Sequence, residues 1–272
     1  MKTAVAQFKA KLGDIDHNLR RMNNYIEKAS AQGCKLIVFP EVADTGYQME
    51  IICQLASSWD SGRELNYLQN SARENAIYVV TGLSERKGTT VHNSAVAINP
   101  AGEIIGQYRK MHLYPAAPAY EDRHLEPGSG IAIFKVADLT CGIIICSDLQ
   151  FPELARLYAI SGVQLLLVLS AWCVQDAYHW RTLLAARSIE NQIFIAAANR
   201  VGTDASVTFC GSSQILDPSG AVLASASEDD ECLVIAEIMA DRISANRASF
   251  FKLQGRRPEI YQRLSESVLG KI

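Results

Sequence analysis

Residues 36–40, Leu36-Ile37-Val38-Phe39-Pro40, form an apolar run with no alternating polar residue. A strand with one wet face alternates apolar and polar positions, so a continuous run reads as a strand covered on both sides. The runs at 141–145 (Cys141-Gly142-Ile143-Ile144-Ile145) and 165–169 (Leu165-Leu166-Leu167-Val168-Leu169) read as further apolar strands.

Helix and strand signals alternate around these runs. Residues 3–8 read as a first strand. Asp16 is a candidate N-cap for a helix presenting Leu19, Met22, Ile26 and Ala29 on one face, and Gly33 ends it. A polar helix over 62–75 precedes strands at 77–83, 93–98 and 103–108, with Asn99-Pro100-Ala101-Gly102 as the last turn. Strands are expected at 131–136 and 141–146, then a helix over 152–160 and the strand at 165–169. A helix over 178–192 has Leu183, Ala186, Ile189 and Ile193 on its apolar side. Strands at 194–198, 212–216, 221–225 and 233–238 complete the pattern, with Asp217-Pro218-Ser219-Gly220 as a second turn. Residues 113–130 carry Pro115, Pro118 and Pro127 and read as a loop, long enough to suggest function. No linker or repeat divides the 272 residues, so 1–272 is expected to be one α/β domain. Strands of both pairing types with four or five helices suggest two sheets covered by helices, a four-layer α-β-β-α sandwich.

Composition excludes several functions. A net charge of −3 offers no basic surplus for nucleic acid. No apolar run approaches the roughly 20 residues of a membrane-spanning helix. The first eight residues lack the apolar core of a signal peptide. Seven cysteines, an odd number with no C-x-x-C pair, suggest reduced thiols and a cytoplasmic location. Five scattered histidines without ligand spacing, and no phosphate-binding glycine loop, imply neither metal nor cofactor.

Three residues carry chemical promise. Cys146 follows the apolar strand 141–145 and precedes Ser147-Asp148-Leu149-Gln150-Phe151-Pro152 and a helix. A nucleophile at such a turn is exposed at the sheet edge, with backbone N–H groups nearby for an oxyanion; a lone cysteine is otherwise a buried structural residue. Glu41 closes the run 37–41, where a carboxylate partly shielded from water can accept and return a proton. Lys110, in Tyr108-Arg109-Lys110-Met111-His112-Leu113, offers a compact cation to a developing oxyanion. Each of the latter two, alone, also reads as a solvated charge at a strand end.

Together, LIVFPE near residue 40, YRKMHL near 110 and GIIICSDLQFPELAR near 146 resemble the carbon–nitrogen hydrolase (nitrilase) superfamily, whose members carry a Glu–Lys–Cys triad in these contexts. Glu121, before Pro127-Gly128, matches a second glutamate seen in many members. Residues 179–202, Arg256-Arg257-Pro258 and Tyr261 extend the resemblance over nearly the whole chain. The Ala171-Trp172 and His179-Trp180 pairs look most like the branch containing omega-amidase and its bacterial relatives, and the aliphatic amidases.

The resemblance implies that Glu41 deprotonates Cys146, that the thiolate attacks a small linear amide, and that Lys110 and a backbone N–H hold the oxyanion. A carboxylic acid and ammonia leave through an acyl-thioester, without metal or cofactor. Glu121 orients Lys110 or the substrate. Substrate contacts are expected from Ser147, Gln150, Trp172 and Tyr47 and from the 113–130 loop, although Trp172 reads equally as core. N-carbamoyl and nitrile hydrolysis are alternatives, as is a catalytically dead binding protein of the same fold. The resemblance also implies a homodimer or larger assembly through the helices at 152–160 and 178–192 and the C-terminal tail. Ser147 and Gln150 depart from the family pattern, which has an aromatic residue and an Arg there, so dicarboxylic monoamides lose their expected anchor.

Overall fold

The continuous apolar runs are central strands of two six-stranded sheets. The computed structural model describes residues 1–59 and 62–262. The first sheet starts with β1 (Lys2–Gln7), β2 (Leu36–Val38), β3 (Tyr78–Lys87), β4 (Thr90–Ile98) and β5 (Ile104–Arg109). The second contains β6 (Ile133–Val136), β7 (Leu139–Ile145), β8 (Leu165–Ser170) and β9 (Phe194–Asn199). A separate hairpin, β10 (Val201–Asp204) and β11 (Val207–Cys210), follows. Then β12 (Gln214–Leu216) and β13 (Val222–Ser225) extend the second sheet, and β14 (Cys232–Glu237) returns to pair with β1. In each sheet three parallel strands, β1-β2-β3 and β7-β8-β9, are flanked by antiparallel ones.

Side chains alternate between two apolar layers. Leu36 and Val38 of β2 face inward and meet Ile143, Ile145, Leu167 and Leu169 of the opposite sheet. Ile37 and Phe39 face outward, under α1 (Ile15–Ala31) and α3 (Arg63–Glu74), where Met22, Ile26, Leu65 and Leu68 cover them. On the second sheet Ile144, Leu166 and Val168 lie under α4 (Pro152–Ile160) and α5 (Ala177–Asn191). The order is helix, sheet, sheet, helix. This is the four-layer sandwich, and it explains why the strands need no polar alternation. No helix among the described residues is long and apolar enough to cross a membrane.

Several local expectations need correction. The N-cap of α1 is Asp14, whose side chain accepts the His17 N–H at 3.1 Å; Asp16 lies in the first turn, where its charge suits the helix dipole. The buried face of α5 is Trp180, Leu184, Arg187, Ser188 and Asn191, whereas Ile189 is exposed. The polar members are held by main-chain carbonyls: Arg187 donates to those of Leu149 and Gln150 at 3.1 and 3.2 Å, Ser188 to that of Ile193 at 3.1 Å, and Asn191 Nδ2 to that of Arg187 at 2.9 Å. Helix α6 (Asp241–Ser249), the seven-residue α2 (Met49–Leu55) and the β10–β11 hairpin were not expected from the pattern.

The parallel strands all point their C-terminal ends one way. Glu41 lies three residues beyond β2, Cys146 one beyond β7, and Lys110 one beyond β5. Gly82 of β3 lets the Glu41 segment approach: a Cβ there would stand 2.6 Å from the Glu41 Cα. The Gly82 N–H donates to the Pro40 carbonyl at 3.1 Å, and its carbonyl accepts the Ala43 N–H at 3.0 Å.

Candidate active site

The strand ends converge on Lys110. Its ammonium is fully buried and donates to Glu41 Oε1 at 2.8 Å and Glu121 Oε1 at 2.9 Å, with Glu121 Oε2 at 2.8 Å. Both carboxylates are fully buried too. Asn93, from the middle of β4, donates its Nδ2 to Glu41 Oε1 at 2.6 Å and to Glu121 Oε1 at 3.2 Å. Tyr47 donates its hydroxyl to Glu121 Oε1 at 3.1 Å, the Tyr114 N–H donates to Glu121 Oε2 at 2.7 Å, and the Ala171 N–H to Glu41 Oε2 at 2.7 Å. The Lys110 N–H is fixed on the Asn93 carbonyl at 2.8 Å. Thus β2, β4, β5, the 113–130 loop and the end of β8 all contribute to one polar cluster.

Burial and pairing set its charges. Burial alone would lower the Lys110 pKa, but Glu121 and Glu41 outweigh it and hold it well above the ordinary lysine value. Burial raises the proton affinity of Glu41, opposed by Lys110 and reinforced by Glu121. Cys146 is raised well above the ordinary thiol value, by burial first and then by Glu41, so its sulfur rests protonated at neutral pH. A thiol that holds its proton beside a carboxylate with raised affinity is poised for transfer on demand.

Cys146 itself adopts φ +46, a left-handed conformation that side chains other than glycine rarely take. Val42, next to Glu41, has φ +41, and Tyr120, next to Glu121, has φ +43. The Cys146 turn is held by Asp148, which is fully buried. Its Oδ2 accepts the Tyr108 hydroxyl at 2.7 Å and the Ile145 N–H at 3.0 Å, and its Oδ1 accepts the His112 N–H at 2.9 Å. Asp148 therefore ties the cysteine turn to the segments on both sides of Lys110.

A cavity of 290 Å³ opens onto Cys146. Tyr47, Ser147, Gln150 and Trp172 all line it, as do Tyr114, Pro118 and Ala119 of the 113–130 region. Ser147 Oγ is engaged by the His112 carbonyl. Trp172 packs against Trp180, ring centroids 5.6 Å apart, and also borders the cavity. Asp176 is the one charged residue among the described residues lining the cavity. Arg187, Arg200 and His179 are not among the lining residues. Arg187 is spent on carbonyls and Glu190, Arg200 is buried against Asp204 and the Phe209 ring, and His179 is exposed beside Asp176. Among the described residues no group of three or more His, Cys, Asp or Glu side chains could hold a metal ion. Asn93 and Asp148 were not among the sequence-derived site residues. Asp148 sits inside the cysteine motif, and Asn93 is a polar residue within an apolar strand, so each left a signal.

Residues 2–248 match the carbon-nitrogen hydrolase family. The chain is 32% identical to a probable nitrilase of Schizosaccharomyces pombe, covering 96% of this chain and 97% of that one. It is 32% identical to the 2-oxoglutaramate amidase of Bacillus subtilis, covering 94% and 97%. Among solved structures, a variant of an amidase from Nesterenkonia sp. AN1 aligns with a TM-score of 0.87 at 27% identity, covering 97% and 96%; it carries the acetamide moiety of fluoroacetamide on its active-site cysteine. The chain therefore belongs to the carbon–nitrogen hydrolase family, and it is an enzyme that hydrolyses a carbon–nitrogen bond other than a peptide bond.

Proposed function

We propose that this enzyme hydrolyses a small amide, neutral in its acyl part, to a carboxylic acid and ammonia, with Cys146 as nucleophile. The observation that carries this reading is the Lys110 ammonium buried between Glu41 and Glu121 beside a cysteine that lines a cavity. Glu41 takes the thiol proton as Cys146 attacks the amide carbonyl, forming the C–S bond. Lys110 and the Ser147 N–H hold the oxyanion. The intermediate collapses, the C–N bond breaks, and Glu41 returns the proton to the leaving nitrogen. Glu41 then activates a water that cleaves the acyl-thioester and releases the acid. Glu121, tethered by Tyr47 and the Tyr114 N–H, keeps Lys110 in place throughout.

Cavity charge supports the neutral acyl part. Where relatives of this type are expected to carry Arg, the chain has Gln150 at the cavity wall, and no lysine or arginine among the described residues lines it. Asp176 would repel a substrate carboxylate and Gln150 can only donate or accept hydrogen bonds.

Leu157 and Ile160 of α4 and Tyr178 and Ile189 of α5 are exposed apolar side chains on two helices that pack together. Phe250 and Phe251 adjoin α5, since Gln192 and the Ile189 carbonyl bond to residues 250 and 252. This face supports self-association into a homodimer or larger assembly. The part of the C-terminal tail beyond residue 262 lies outside the described residues.

Three outcomes test these readings. Cys146→Ala and Cys146→Ser should each lose at least about a thousand-fold in kcat with unchanged thermal unfolding, since neither side chain can form the thioester; substantial turnover in either removes the mechanism. Sedimentation should give a mass of at least twice the 29.8 kDa chain, and a monomer at micromolar concentration would refute assembly through this face. Finally, for a monoamide with a free distal carboxylate and its methyl ester, the acid should be poorer in kcat/KM by about tenfold, equivalent to roughly 1.4 kcal/mol. Gln150→Arg should then raise the acid selectively; a wild-type preference for the free acid would contradict the reading.

A further inference from the structure

Ser170 ends β8, and no step above uses its side chain. β7 and β8 run parallel with Ile145 paired to Leu169, so the residues that follow, Cys146 and Ser170, stand side by side where the two strands end. Ser170 is fully buried, and its Oγ has no hydrogen-bond partner in the resting site. A buried hydroxyl left without a partner is costly and calls for an explanation. The main chain around it is fixed: the Ser170 carbonyl accepts the Arg200 N–H at 3.0 Å, and the next N–H, of Ala171, donates to Glu41 Oε2 at 2.7 Å. The other serine beside the nucleophile, Ser147, is not available, because its Oγ is engaged by the His112 carbonyl.

The resting thiol is neutral and asks little of a donor. Once its proton leaves, an anion stands in a site shielded from water. Lys110 opposes the burial that disfavours this anion, and so does the Ser170 hydroxyl. We propose that Ser170 is a positioning residue for the nucleophile, its O–H turning onto Cys146 Sγ to donate a hydrogen bond when the thiolate forms. Ser170 keeps its own proton, and the bond weakens again as the sulfur becomes a neutral thioester. An interaction stronger for the charged species than for the resting thiol lowers the barrier without tightening ground-state binding. The proposal rests on the reading of Cys146 as nucleophile.

The test is the rate of Cys146 alkylation by iodoacetamide from neutral to alkaline pH, followed by peptide mass spectrometry in the wild type, Ser170→Ala and Ser170→Thr. Ser170→Ala should alkylate about tenfold more slowly at neutral pH, the equivalent of one unit in thiolate formation. Its profile should move to higher pH while the alkaline limit and the melting temperature hold. kcat should fall with KM unchanged, and Ser170→Thr, which keeps the donor, should follow the wild type. An unmoved profile in Ser170→Ala, with Cys146 still alkylated ahead of the remaining cysteines, overturns the role of Ser170 alone. A wild-type Cys146 that reacts no faster than the other cysteines removes the nucleophile reading beneath it.

Discussion

One buried ammonium organises this site. Taking a lysine out of water costs several kcal/mol unless the charge is paired with good geometry. Lys110 meets that condition with two carboxylates, both as buried as itself. The pairing cannot be made by neighbours in sequence. It needs Glu41 from the end of β2, Glu121 from the 113–130 loop, and Asn93 from β4 to bridge the two acids. The Ala171 N–H, from the second sheet, fills the other Glu41 oxygen. The two sheets are thus joined at their strand ends by charge, as they are joined along their faces by Leu36, Val38, Ile143 and Leu167. Losing Lys110 would leave two carboxylates facing each other in the interior without a cation between them.

Backbone strain gathers at the same place. Val42, Tyr120 and Cys146 all adopt positive φ, and each is a site residue or its immediate neighbour. Such conformations cost on the order of 1–3 kcal/mol each and persist only where their surroundings over-determine them. Here the determinants are visible: Asp148 accepts three hydrogen bonds from around the cysteine turn, and Gly82 admits the Glu41 segment where no Cβ would fit. At Cys146 the left-handed residue comes where the chain leaves β7 and borders the cavity.

The features written in runs of sequence were legible. Continuous apolar strands announced a sheet covered on both faces, and Glu41 and Cys146 each followed such a strand, whereas Lys110 followed the mixed edge strand β5. Glu121 was reached only through resemblance, because nothing in a proline-rich loop says which of its acids is buried. Asn93 and Asp148 are single polar residues whose partners at Glu41, Glu121, Tyr108 and His112 lie far away in sequence. Helix α5 misled for a related reason: its buried face includes Arg187, Ser188 and Asn191, whose donors reach carbonyls that no periodicity rule can foresee. The β10–β11 hairpin is too short and polar to stand out, and the seven-residue α2 has no side-chain N-cap bond to mark its start.

If Glu41, Lys110 and Glu121 work as one preorganised unit, their contributions to catalysis cannot be independent. The direct measurement is a double-mutant cycle on kcat/KM for one amide, using Glu41→Gln, Glu121→Gln and the pair, with folding checked by thermal unfolding. The account predicts that the second substitution costs little once the first is made, leaving the double variant within about tenfold of the worse single variant. Losses that multiply in full would show two independent carboxylates, and would contradict the account.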